Sequence, residues 1–169
     1  MTADELDRCM RKFYKCVYSM ALCYCKNPSD ADDIAQDVFL KLFTYGGSFE
    51  SDEQLKAWLL RCAVNRSINI IRSGFRRFSR PLEEAENIGR PDSYPEEGNT
   101  LLPLIMKLSR NNRTALYLYY YEHFTIEEIS EITGVSASAV RSRLARGRKQ
   151  LKRLIDSERN GLYGLRENI

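Results

Sequence analysis

Apolar side chains recur every three or four residues over most of this chain, and the recurrences divide it into helices. Leu6, Met10, Phe13, Val17, Met20 and Tyr24 form one stripe, which predicts a helix over Ala3–Lys26. Asn27-Pro28 ends it, because the residue before proline avoids helical geometry. Ser29-Asp30-Ala31-Asp32 is expected to open the next helix as a capping box, with Asp32 in place of the usual Glu. Its stripe is Ile34, Val38 and Leu42, with Ala31 and Ala35 beside it. Phe39, Leu40 and Phe43 carry apolar surface beyond that stripe, so this helix either packs a third element or meets a partner. After the Tyr45-Gly46-Gly47-Ser48 turn, a third helix is expected from Asp52 to about Ser73, with Leu55, Leu59, Cys62, Arg66 and Ile70 along one side.

The pattern then breaks. From Gly74 to Asn99 the chain holds Gly74, Pro81, Gly89, Pro91, Pro95 and Gly98, a linker composition. Helices resume over Thr100–Leu108 and Asn111–Tyr121. The second carries Tyr117-Leu118-Tyr119-Tyr120-Tyr121, which has strand propensity by itself but lies among helical patterns. Thr125–Arg153 reads as two helices around a glycine. Ile126, Ile129 and Ile132 line the first, with Thr125 as cap and Glu127 and Glu128 in the first turn. Gly134 can supply the positive φ that stops it. Ser136 caps the second, whose buried stripe is Val140, Leu144, Gly147, Leu151 and Ile155. Asp156–Ile169 shows no clear period. These elements predict an all-α chain of two small helical domains joined by a flexible linker.

Charge changes the picture from fold to chemistry. The net charge is only +3, but its distribution is uneven. Between Ser136 and Ile155 stand Arg141, Arg143, Arg146, Arg148, Lys149, Lys152 and Arg153 with no acidic residue. A solvated helix face normally mixes Lys with Glu to gain i,i+4 pairs. A short helix, a glycine turn and a one-sign basic helix point to a helix-turn-helix DNA reader rather than an ordinary helix pair. A second basic block holds Lys56, Arg61, Arg66, Arg72, Arg76, Arg77 and Arg80, and an acidic stretch from Glu83 to Glu97 separates the two. Two basic blocks suggest two nucleic-acid contacts. Asn65 and Asn69 add polar groups that can solvate a helix end or read nucleic acid. Trp58, the one tryptophan, is expected in the core, with base stacking as the alternative role it could share with Phe75 and Phe78.

Other chemistries find little support. The five cysteines include no C-x-x-C pair, and Cys9, Cys16 and Cys23 share a helix face, as small buried hydrophobes would. Zinc would lack a fourth ligand near them, the one histidine being His123. No phosphate-cradling glycine loop or Ser-His-Asp set is present, so no enzyme and no cofactor is expected. No apolar run reaches membrane-spanning length and the start is acidic, so no membrane insertion and a cytoplasmic location are expected.

The motifs resemble a known family in order and spacing. Asp30-Ala31-Asp32-Asp33-Ile34-Ala35-Gln36-Asp37-Val38-Phe39-Leu40-Lys41-Leu42 resembles the region-two helix of bacterial sigma factors of the extracytoplasmic-function group. Leu55-Lys56-Ala57-Trp58-Leu59-Leu60-Arg61 with Asn65-Arg66 resembles the next part of that region. Val140-Arg141-Ser142-Arg143-Leu144-Ala145-Arg146 resembles region four. The resemblance implies a region-two domain over residues 1–76, a linker over 77–99, a region-four domain over 100–157 and a tail over 158–169. It also implies binding to core RNA polymerase and promoter DNA, with an anti-sigma factor as a further partner. Ile34, Gln36, Asp37, Phe39, Leu40 and Lys41 fall where the family grips polymerase. Lys56, Arg61, Asn65, Arg66, Asn69 and Arg72 fall on the downstream reader. Ser138, Arg141, Ser142, Arg143, Ala145, Arg146, Arg148 and Lys149 fall on the upstream one. Ser130 stands where the family often has alanine, Asn69 where an acidic residue is common, and Ser109 where proline is frequent. The alternative is a helix-turn-helix regulator with an N-terminal dimerisation or sensing bundle, which would bind a palindrome without polymerase.

Overall fold

A computed structural model describes residues 1–77 and 101–166, with side chains placed for 1–73 and 101–159. Among these residues there are seven helices and no strand: α1 (Ala3–Cys25), α2 (Pro28–Thr44), α3 (Asp52–Arg77), α4 (Leu101–Met106), α5 (Arg110–Tyr120), α6 (Ile126–Thr133) and α7 (Ala137–Arg166). No helix among the described residues is long and apolar enough to cross a membrane. The linker expected over 77–99 lies, beyond its first residue, outside the described residues.

The first compact unit holds α1–α3. Thr2 and Glu5 start α1 with a reciprocal capping box, at 2.7 and 3.2 Å. Lys26 ends it in the left-handed region, φ 52°, with its N–H on the Leu22 carbonyl. The start of α2 departs from expectation. Asn27 is the cap, its side chain accepting the Asp30 N–H at 3.1 Å, and Pro28 occupies the first turn. Proline is favoured there because its missing N–H would have no helical partner anyway. Asn27-Pro28 thus ends one helix and begins the next, and the Ser29 box is not used.

The core of this unit is Val17, Met20, Ala21, Ile34, Val38, Phe39, Leu42, Leu59, Leu60, Ala63 and Val64. The α3 stripe also departs from expectation. Arg66 is exposed, whereas Leu60, Ala63, Val64 and Ser67 are buried. α3 packs on both α1 and α2, so it buries two adjacent rows rather than one. Ser67 tolerates this because its hydroxyl donates to the Ala63 carbonyl at 2.7 Å. Phe39 lies against Tyr14 with ring centroids 6.2 Å apart. The Tyr14 hydroxyl donates to Asp32, and burial together with that carboxylate pushes its pKa up to about 12.

The second unit holds α4, α5, α7 and the start of α6. The tyrosine-rich run is helical, and Asn112 through Leu118 are all buried. α5 packs on α7. At their contact a Cβ on Gly147 would stand 2.9 Å from Leu116 Cδ1 and 3.1 Å from its Cγ. Beside it Asn112 Nδ2 donates to Gln150 Oε1 at 2.8 Å. Arg113, 3% exposed, donates to the Leu108 carbonyl at 2.8 Å. Ser109 caps α5 with its backbone and makes no side-chain capping bond. The segment without clear period after Asp156 is not a separate tail, because α7 continues through it to Arg166.

Candidate nucleic-acid interface

The turn between α6 and α7 is fixed by local chemistry. Thr125 and Glu128 form a capping box: the Thr125 N–H donates to the Glu128 carboxylate at 2.8 Å and the Glu128 N–H to Thr125 Oγ1 at 3.3 Å. Gly134 has φ +71°. Ser136 Oγ accepts the Ala139 N–H at 3.2 Å and starts α7. Ser130 adds a bond that alanine could not make: its hydroxyl donates to the Val135 carbonyl, across the glycine. Nothing lies within 4 Å of a Cβ built on Gly134. Gly134→Ala should therefore cost only the left-handed dihedral penalty, about 1–2 kcal/mol, read as a lower unfolding midpoint in urea. An unchanged midpoint would mean that the turn does not need this conformation.

α7 is pinned through Val140, Leu144, Gly147 and Leu151, all buried. Its other face exposes Ser138, Arg141, Ser142, Ala145, Arg146 and Lys149, with Arg143 half-buried. Arg146 and Lys149 have no ion-pair partner among the described residues. Arg141 is 3.5 Å from Glu127 of α6. Arg148 differs from the rest. It donates from Nε to the Tyr120 hydroxyl at 2.7 Å, and its guanidinium lies 5.4 and 5.6 Å from the centroids of Tyr119 and Tyr120. The aromatic run of α5 therefore serves as its seat. A cleft of ≈ 220 Å³ opens beside it, lined by Leu101, Tyr120, Arg148, Leu151, Lys152 and Ile155.

The second basic block forms a row along α3. Arg61, Asn65, Asn69 and Arg72 recur at helical spacing and are exposed, Arg66 is exposed beside them, and Lys56 is half-buried. Arg66 is not free, since its Nε donates to Asp37 Oδ2 of α2 at 2.6 Å. Near the start of α3, Trp58 is half-buried and meets two aromatics that sequence reasoning missed. Tyr45 and Phe49 stand 4.9 and 5.5 Å from it, and Lys41 Nζ lies 5.6 Å over its ring. The Gly46-Gly47 turn between Tyr45 and Phe49 was the available signal. The side chain of Phe75 and all of Phe78 lie outside the described residues.

Of the α2 residues grouped by resemblance, Asp37 is half-buried and the others separate into two sets. Gln36, Leu40 and Lys41 are exposed, Leu40 by 62%. Phe43, one turn from Leu40 and part of the apolar excess beyond the buried stripe, is 45% exposed. Ile34 and Phe39 are 0% and 2% exposed. These two side chains belong to the core of the α1–α3 unit. A helix wedged between two neighbours has to turn some of any contiguous run inward. Cys23 and Cys62 are buried, and burial pushes the Cys62 thiol up, so it stays protonated. No cluster among the described residues could hold a metal ion.

Comparison with known proteins adds the family. The Sigma-70 region 2 model matches residues 9–77, and the Sigma-70, region 4 model matches residues 99–151. The chain is 29% identical over 166 residues to the ECF RNA polymerase sigma factor SigW of Bacillus subtilis, covering 89% of this chain and 87% of that one. It is 27% identical over 149 residues to the ECF RNA polymerase sigma factor SigM of Mycobacterium tuberculosis, covering 88% and 76%. Among solved structures, the fold is similar to the sigma factor RpoE of Bartonella quintana, solved in complex with the anti-sigma factor NepR. There the TM-score is 0.73 at 23% identity, over 91% of this chain and 98% of that one. It is also similar to CnrH in complex with the cytosolic domain of CnrY, with a TM-score of 0.60 at 19% identity, over 92% and 90%.

Proposed function

Because this chain belongs to the sigma-70 family, in its extracytoplasmic-function group, we propose how its two units divide the work of an alternative sigma factor. The chain binds core RNA polymerase and directs it to promoters, and the polymerase carries out the chemistry. The observation that carries this reading is the pair of outward basic rows, one on α3 and one on α7, in a single chain. A regulator that only reads a palindrome has no use for the first row, which disfavours that alternative.

Duplex and melted DNA ask for different surfaces. α7 suits the major groove, where arginine can make two hydrogen bonds to guanine. It would read the upstream, minus-thirty-five element. The α3 row suits the phosphates of a melted strand at the minus-ten element, with the aromatic cluster at Trp58 as neighbour. Gln36, Leu40, Lys41 and Phe43 offer a mixed apolar and polar face to the polymerase. An anti-sigma factor is a further partner by analogy with the neighbours solved in such complexes, and the place of action is the cytoplasm. Residues 1–76 and 100–157 are the two functional domains and 77–99 their linker. The test is runoff transcription by core polymerase with and without the chain, from the promoter upstream of its own gene. A transcript that starts equally well without the chain would refute the reading.

The face assignment on α7 has its own test. The N-terminal half of a recognition helix enters deepest, so Arg141, Ser142 and Arg146 are assigned to base edges. Arg143, Lys152 and Arg153 are assigned to phosphates. Arg146→Ala should cost about 1–3 kcal/mol at a matched upstream element and relax preference at one base position. Lys152→Ala should weaken all sequences alike and lower the salt slope by about one unit. A selection on upstream-element variants separates them, and equal losses on every variant would show the assignment to be wrong.

A further inference from the structure

Asp37 and Arg66 bring together two surfaces that the sequence treats as separate. Asp37 belongs to α2, on the helix that offers Gln36 and Leu40 outward. Arg66 belongs to α3, in the row with Arg61, Asn65, Asn69 and Arg72. The Arg66 Nε–H donates to Asp37 Oδ2 at 2.6 Å, and the two side chains are 48% and 42% exposed. An ion pair this exposed contributes little to stability. Its use of Nε matters more. Guanidinium carries five N–H donors in a rigid fork, and a carboxylate on Nε leaves both terminal amino groups for another acceptor. Neither residue has another hydrogen bond among the described residues.

Resting on the sigma-factor reading, we propose that Asp37 is a positioning residue for strand capture. It fixes the Arg66 side chain across the α2–α3 contact, so that the terminal amino groups meet a backbone phosphate of the melted strand. An unanchored arginine has to give up its rotamer freedom when it binds, and an anchored one has already done so. The carboxylate itself repels a phosphate, so its place beside the basic row is otherwise unfavourable. Holding one member of that row is a use that offsets the repulsion.

The test is a double-mutant cycle in holoenzyme assembled at saturating core polymerase. Asp37→Ala, Arg66→Ala and the double variant are compared for open-complex formation on duplex promoter and for binding of a single-stranded minus-ten fragment. Each single variant should lose roughly three- to tenfold in strand binding, the scale of one hydrogen bond. The double variant should be no worse than Arg66→Ala, because residues acting as one unit are not additive. Asp37→Asn, which keeps an oxygen for Nε–H, should recover most of the loss. The proposal is overturned if the single losses multiply in the double variant, or if Arg66→Ala binds the strand normally. It is also overturned if the Asp37→Ala defect vanishes at saturating polymerase, which would make Asp37 a polymerase contact only. Failure of the sigma-factor reading itself would look different, since the unaltered chain would then yield no promoter-specific transcript with core polymerase.

Discussion

Ile34→Ala is expected to remove about 2–5 kcal/mol from the stability of the α1–α3 unit, the cost of emptying a fully buried aliphatic site. Ile34 is 0% exposed in a core with Met20, Val38, Leu59 and Leu60. The loss combines the transfer free energy of the deleted carbons with a cavity that a three-helix packing cannot fully close. Many domains hold only 5–15 kcal/mol in total, so this is a large share. Polymerase binding should fall too, but only as far as the folded fraction falls. Leu40→Ala is the contrast. With Leu40 62% exposed, its truncation should leave the unfolding midpoint nearly unchanged while weakening polymerase binding. Chemical denaturation followed by circular dichroism checks both. If the Ile34 variant kept full stability and lost only polymerase affinity, the side chain would have to face the partner.

The second large effect is expected at Gly147, and it depends on the size of the replacement. A single Cβ there would crowd Leu116 at 2.9 and 3.1 Å. Leu116 is fully buried, so it can yield only a little. Gly147→Ala also gains helix propensity, about 1 kcal/mol over glycine. Crowding and propensity oppose each other, and the net change should be under about 1 kcal/mol. Gly147→Ile adds branched carbons with no further compensation. It should cost about 3 kcal/mol, the upper end for overpacking a filled core, and should separate α5 from α7. Thermal unfolding of the full chain with each variant checks the contrast. Equal, small shifts for both would mean that the helix pair is looser than the Leu116 contact indicates.

Legibility in the sequence followed the physics of each element. The helix-turn-helix was readable because its turn needs particular residues: Thr125 and Ser136 to cap, Gly134 for the positive φ, and Val140 and Leu144 on one stripe. Each of these local choices serves the same arrangement. The tyrosine run was readable as helix only from its neighbours, since its own propensity points to strand. The start of α2 was misplaced because Asn27 both follows one helix and caps the next. A stop signal and a start signal then share one residue, and a pattern reader assigns it once. The α3 stripe was misjudged because periodicity assumes one buried face, and α3 has two neighbours. The continuation of α7 past Ile155 was missed because the next four residues offer no apolar stripe to read. Asp156, Ser157, Glu158 and Arg159 are all exposed.

The candidate site divides on similar lines. Charge predicts exposure well, and of the basic residues assigned to DNA only Lys56 and Arg143 are half-buried. Charge does not predict pairing. Arg66 is held by Asp37 and Arg148 by Tyr120, through contacts that depend on how helices distant in sequence approach each other. Resemblance groups Ile34 and Phe39 with exposed neighbours because it identifies a stretch of helix without saying which of its sides faces inward, whereas periodicity alone puts Ile34 on the buried stripe.

The aromatic cluster around Trp58 has a consequence for light as well as for packing. The chain has one tryptophan, and it belongs to the α1–α3 unit, with Lys41 over its ring and Tyr45 and Phe49 beside it. Indole emission responds to nearby charge and to water, so this ring reports on the turn after α2 and the start of α3. The second unit carries tyrosines but no indole. Emission excited in the tryptophan band therefore comes from the first unit alone, and the chain carries a built-in optical label on one of its two parts.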